Sequence, residues 1–87
     1  MITVTLSFFA AARDLIGLSQ VDDFELSESR WQSTADLLDH LCVQFPALIP
    51  LRPALTLAVN EEYTFKSEQV ILSDGDRIAV IPPITGG

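Results

Sequence analysis

The chain has 87 residues, enough for one domain with a small core. Hydrophobic residues make up 48% and charged residues 20%, which excludes a disordered chain, and no apolar run approaches the roughly 20 residues of a membrane span. Twelve Asp and Glu against five Lys and Arg give a formal charge of −7, which argues against nucleic acid and suits either a basic partner or solubility alone.

Residues 2–8, ITVTLSF, alternate strictly: Ile2, Val4, Leu6 and Phe8 share one face and Thr3, Thr5 and Ser7 the other, as in a half-buried strand. The opening MITVTLSFFAAARD has neither the basic start nor the long apolar region of a signal peptide, so a cytoplasmic location is expected. AAARDLI, residues 10–16, is rich in helix formers and is followed by Gly17, which predicts a short helix or turn. QVDDFELS, residues 20–27, predicts a second strand. Asp22 shares the parity of Phe24 and Leu26 there, a charge best tolerated at a sheet edge. Ser33 begins Ser-Thr-Ala-Asp, a helix start signal; Leu37, Leu38, Leu41, Cys42 and Phe45 follow at helical spacing until Pro46 stops the run. ALIPLRP, residues 47–53, reads as a proline-punctuated connector with room for one helical turn. LTLAV (55–59) is a strand, Asn60-Glu61-Glu62-Tyr63 a turn, and residues 63–66 a short strand. Ser73-Asp74-Gly75-Asp76 is a second turn and RIAVIP (77–82) the last strand.

Strands wrapped around one main helix in so short a chain predict a single α+β domain, the helix on one sheet face. The first and last strands, both apolar and alternating, suit the sheet's centre. If Ile78 and Val80 face the helix, Ile81 points away with Ala79; if Phe8 faces inward, Phe9 falls outside that set. Phe9, Ile81 and Tyr63 are therefore large apolar residues left over once the core is filled, either covered by connectors or exposed as a contact site.

Other candidates carry less chemistry. Asp22-Asp23, Glu61-Glu62 and Asp74-x-Asp76 lie at turns or an edge and read as solvated carboxylates without an acid–base partner. His40 reads as a surface residue near Asp36 and Asp39. Cys42 beside Leu38 and Leu41 reads as a buried structural thiol. No Cys and His spacing offers a metal site, no Gly-rich loop offers a phosphate cradle, and no cofactor bound by this chain is expected.

The closing PPITGG, residues 82–87, is different. Two prolines stiffen the exit from the last strand and project the remaining residues as a flexible tail. Two glycines make a thread slim enough to enter a narrow channel, and it brings the α-carboxylate of Gly87 there. A carboxylate is a poor electrophile until ATP converts it to a mixed anhydride, after which sulfur can attack; a side chain on the last residue would crowd that attack.

FFAAARDLIG (8–17), LAVNEEY (57–63), SDGDRIAVIPP (73–83) and the final TGG stand in order and at spacing that resemble the small, sulfur-carrier subunits of molybdopterin synthase. The segment 18–55 contributes mainly its helix pattern. The resemblance implies a β-grasp, ubiquitin-like fold over residues 1–87, with a mixed sheet and a protruding Gly-Gly tail. It implies adenylation of Gly87 by an activating adenylyltransferase related to ubiquitin activators, using ATP and Mg²⁺, then conversion to a thiocarboxylate. Thr85 and Gly86 would enter a pocket of the large catalytic subunit, where sulfur passes to cyclic pyranopterin monophosphate in building molybdopterin. It further implies a heterotetramer of two small and two large subunits, the small subunit acting as sulfur donor and not as the catalyst. Phe9, Tyr63 and Ile81 stand at positions similar to the family's apolar docking surface, which favours contact over cover. Arg13 matches the arginine after the Phe-Phe-Ala stretch, with docking or a surface salt bridge as its role. Ala12 replaces larger residues often seen there.

Three alternatives share some of these features. A thiamine-pathway sulfur carrier has the fold and the Gly-Gly end but lacks Phe-Phe-Ala-x-x-Arg. A ubiquitin-like protein modifier would be joined through its end to lysines of other proteins. A plain interaction module would work without Gly87.

Overall fold

The structure is a computed structural model that describes residues 1–83. Its chain order is β1 (Ile2–Phe8), α1 (Ala10–Ile16), β2 (Gln20–Leu26), β3 (Arg30–Trp31), α2 (Thr34–Gln44), a 3-10 helix (Pro46–Ala54), β4 (Thr56–Val59), β5 (Glu62–Tyr63), β6 (Val70–Ile71) and β7 (Arg77–Ile81). Five strands form one mixed sheet in the order β2-β1-β7-β4-β5, and β3 pairs with β6 in a second, two-stranded sheet. The two strands with the clearest alternation, β1 and β7, lie side by side at the centre and run parallel, Leu6 opposite Ile78 and Phe8 opposite Val80.

β2 occupies an edge, and a bulge resolves its conflicting parity. Val4 faces Phe24 but Leu6 faces Val21, so Asp22 and Asp23 together stand against Thr5. Asp23 takes a positive φ of 52° to accommodate the extra residue. Val21, Phe24 and Leu26 thereby reach the core while both aspartates stay in water.

The inner face of the sheet supplies Val4, Leu6, Phe8, Leu57, Ile78 and Val80, all at most 2% exposed, and α2 lays Leu37, Leu38 and Leu41 against them. Phe45, the residue that ends α2, packs edge-on to Phe8 with ring centroids 5.3 Å apart. Cys42 is buried in this cluster, as a small apolar group.

Local chemistry sets the ends of α2. Ser33 Oγ accepts the Asp36 N–H at 3.1 Å. The Thr34 and Ala35 N–H groups donate to the carbonyls of Glu68 and Lys66. Beyond Phe45 the expected connector is a nine-residue 3-10 helix, longer than the single turn read from the sequence. Prolines 46, 50 and 53 cannot donate to an α-helical ladder, and the backbone settles for tighter bonds such as Leu48 N–H to Phe45 O. Arg52 clamps this segment to α2, its Nε 2.8 Å from Asp39 Oδ1 and its Nη2 donating to Ala35 O.

Three further features depart from the sequence reading. β3 and β6 are two residues each, too short to show a period, and exist because Val70 and Leu72 are buried against the core. The short strand expected at 63–66 begins at Glu62 and ends at Tyr63. His40 is half-buried, its ring 5.1 Å from that of Trp31, because β3 crosses over that side of α2.

Replacing Ser33 by Ala removes the capping acceptor and should lower stability by about 1 kcal/mol. Leu57→Ala, which empties a fully buried position, should cost about 2–5 kcal/mol. Urea denaturation of the two variants against the parent chain measures both.

Candidate docking face and chain exit

The face of the sheet turned away from α2 is built by register. Ser7, Ala79, Ala58 and Tyr63 lie opposite one another in a row across β1, β7, β4 and β5. Ile81 lies opposite Thr56 in the next row. The Phe9 N–H donates to Val80 O at 3.3 Å and the Thr64 N–H to Leu57 O at 3.0 Å, so both pairings continue past the strand ends. That continuation sets Phe9 beside Ile81 and Phe65 beside Thr56. Four large side chains thus border a floor of small ones, Ser7, Thr56, Ala58 and Ala79.

Exposure follows from that layout. Phe9 is 49% exposed, Tyr63 70% and Phe65 79%, while Ile81 is half-buried. Ala58 points to the same face yet is only 4% exposed, because its larger neighbours cover it. A shallow cavity of about 150 Å³ opens there, lined in part by Ser7, Phe9, Ala58 and Ala79. Monomeric surfaces rarely leave this much contiguous apolar area in water unless it makes a contact. Phe65 is absent from the residues singled out by sequence. The signal was available, since it shares the parity of Tyr63.

One end of the face is polar and tightly bonded. Asn60 and Glu61 form the two-residue turn between β4 and β5 with φ of 50° and 72°. The Arg77 N–H donates to Asn60 Oδ1, and Asn60 Nδ2 donates to Asp76 Oδ1. Asp76 Oδ2 accepts the Ser73 N–H and Asp74 Oδ1 the Thr3 N–H, both at 2.8 Å. The Asp74-x-Asp76 carboxylates, read from sequence as solvated, are acceptors for backbone donors. Gly75, with φ of 87°, supplies the left-handed turn that brings them round.

The other end holds the start of α1 and the exit of the chain. Phe9 is extended, and its carbonyl accepts the N–H groups of Ala12 and Arg13. Ala10, the first residue of α1, takes a φ of 49°, a left-handed conformation that a residue with a Cβ adopts at a cost. That kink turns α1 over the core edge and leaves Phe9 on the outer face. Arg13 is one turn further on, its side chain 54% exposed and 3.8 Å from the still more open Asp14 carboxylate, a pair too solvated to fix either side chain. Pro82 is buried and Pro83 exposed. Thr85, Gly86 and Gly87 lie outside the described residues.

Among the described residues no cluster of His, Cys, Asp or Glu is placed to hold a metal ion, and no helix is long and apolar enough to cross a membrane. Burial pushes the Cys42 thiol up; Arg52 opposes this and Asp39 adds to it. The unfolded thiol ionises first. The stability contributed by the protonated form is therefore full below the ordinary thiol range and declines as pH rises through it towards the folded value. Iodoacetamide at about pH 8 should leave the folded chain unmodified and label it once in urea, as intact mass would record. Ala10→Val, a β-branched residue forced to positive φ, should lower stability by about 1–2 kcal/mol, whereas Ala10→Gly should stay within about 1 kcal/mol of the parent in urea denaturation.

The family model described as the ThiS family matches residues 6–87. A molybdopterin synthase sulfur carrier subunit of Aedes aegypti is 43% identical over 89 aligned residues, covering 100% of this chain and 91% of that protein. Its counterpart in Arabidopsis thaliana is 38% identical, covering 99% and 84%. Among solved structures, small archaeal modifier protein 1 of Haloferax volcanii superposes with a TM-score of 0.73 at 22% identity, covering 97% of this chain and 100% of that one. A chain from the complex of subunits 1 and 2 of molybdopterin-converting factor from Helicobacter pylori 26695 superposes at 0.66 with 20% identity, covering 99% and 100%. At those identities the solved structures establish the β-grasp, ubiquitin-like fold. With the family match spanning nearly all of its length and relatives this similar from end to end, the chain belongs to the ThiS family, alongside the molybdopterin synthase sulfur carrier subunits.

Proposed function

We propose that this chain is the sulfur carrier subunit of a molybdopterin synthase. The observation that carries the proposal is the junction of two parallel strands. β1 ends just before the exposed Phe9 and β7 ends beside it at Ile81, from which the chain passes through Pro82 and Pro83 towards Gly87. A partner seated on Phe9, Tyr63 and Ile81 therefore meets the start of the Gly-Gly segment as well.

The chemistry proposed for Gly87 is that of its carboxylate. An activating adenylyltransferase, related to ubiquitin activators and using ATP with Mg²⁺, would join the carboxylate to AMP and release pyrophosphate. A sulfur nucleophile would then displace AMP to leave a thiocarboxylate. Thr85 and Gly86 would thread this end into the large catalytic subunit, Gly86 lacking the Cβ that would obstruct a narrow passage. Sulfur would pass there to cyclic pyranopterin monophosphate, two rounds completing the dithiolene. The small chain would act as a donor spent and recharged each round, residues 1–83 serving as its grip and the remainder as a tail. Arg13 would add a cationic contact at the rim of the face. We place this cycle in the cytoplasm, in an assembly of two small and two large subunits.

Incubating the chain with its activating enzyme, ATP and a sulfur donor should raise its intact mass by the exchange of one oxygen for sulfur. Deleting Gly87 should abolish the gain. An unchanged mass with a demonstrably active activating enzyme would overturn the proposal. Adding the large subunit and pterin precursor should return the mass to its starting value and yield molybdopterin. Conjugates to lysines of other proteins in place of that product would mark a protein modifier.

A further inference from the structure

Beside the docking face, where the sheet ends, a groove of about 350 Å³ separates β5 from β6. Its lining combines Val59, Val70, Tyr63 and Ile71 with Glu62, Glu68 and three neutral polar residues. Two of these side chains are unusually bare: Tyr63 is 70% exposed and Ile71 61%. No Lys or Arg lines the groove, and neither glutamate has a cation within 4.0 Å among the described residues. The chain's one lysine, Lys66, donates its Nζ to Pro53 O. Glu68 is held in place, since its Oε1 accepts the Phe65 N–H at 3.0 Å and its own N–H returns a bond to Phe65 O. A mixed cleft in which Tyr63 and Ile71 stand beside two carboxylates without a cation partner matches the long basic side chains, whose methylene stems pack on apolar groups while the charged head meets the carboxylates. An aromatic ring adds attraction for a cation.

We propose that this groove receives a basic, apolar segment of the same large subunit that covers the docking face. The inference rests on the sulfur-carrier reading. Tyr63 belongs to both surfaces, so a partner seated on the sheet face is already at the groove's wall. Charge selects the occupant. A second copy of this chain would bring its own −7 and set glutamates against glutamates across a two-fold contact, whereas a basic segment neutralises them. Contacts of this kind speed association and are screened by salt.

The test uses the full chain and the purified large subunit, with binding kinetics measured at low and high salt. Glu62→Gln with Glu68→Gln should lower affinity roughly tenfold at low salt, mainly through slower association, and should flatten the salt dependence. Ile71→Ser, exposed and outside the core, should lower affinity through faster dissociation. Circular dichroism checks that both variants are folded. Thiocarboxylate formation by the activating enzyme serves as a control and should not change. Parent-like affinity and salt dependence in both variants overturns the groove proposal while leaving the sulfur-carrier reading intact. Failure of the parent chain to bind the large subunit overturns both. A dimer of this chain that the glutamine variant strengthens, competing with the large subunit, assigns the groove to self-association and also overturns it.

Discussion

The parallel pairing of β1 with β7 is the constraint on which the rest of the molecule depends. These strands come from opposite ends of the sequence, so their union closes nearly the whole chain into one loop. Such a closure is entropically unfavourable until apolar contacts offset it, and the inner faces of the two strands are the most apolar in the chain. Leu6, Phe8, Ile78 and Val80 meet there beneath Leu37, Leu38 and Leu41 of α2. Antiparallel pairing would have sent the two strand ends to opposite sides. Parallel pairing brings Phe9 and Ile81 to one side, and with them the departure of the chain.

The polar network at the other end of these strands serves the same geometry. Asn60, Asp74 and Asp76 take donors from Thr3, Ser73 and Arg77, which join the start of β1, the β4–β5 turn and the start of β7. A slip of one residue in β7 would reverse which side chains face α2. Bonds this short, made to backbone groups and not between mobile side chains, oppose that slip. They also explain why motifs as polar as Val-Asn-Glu-Glu-Tyr and Ser-Asp-Gly-Asp border an apolar face: the Asn60 amide and the Asp74 and Asp76 carboxylates hold backbone.

The outer face is shaped by size as much as by polarity. Ala58 and Ala79 keep the middle low, and Phe9, Tyr63, Phe65 and Ile81 raise its borders, so the surface is a shallow trough that suits a convex, apolar partner. Charged groups, Glu61 and Arg77, line its cavity beside the small residues. That combination suits the proposed sulfur carrier, which must be held firmly by burial yet find its partner quickly through charge. The 3-10 helix and Arg52 stay on the opposite side of the molecule's chemistry, closing the core beneath α2.

Sequence by itself determined the elements with a period long enough to read. The alternation of β1 and β7, the spacing of leucines in α2 and the stop at Pro46 each reflect one buried face, and a buried face writes itself into the residue pattern. Parity also identified Phe9 and Ile81 as side chains turned away from that core. Only tertiary structure decided the bulge at Asp22-Asp23, the two-residue strands β3 and β6, and the packing of His40 against Trp31. Each depends on a neighbour distant in sequence and leaves no local period. The same holds for the groove beside Tyr63: its surroundings are set by strand register, which side-chain pattern along one segment does not contain.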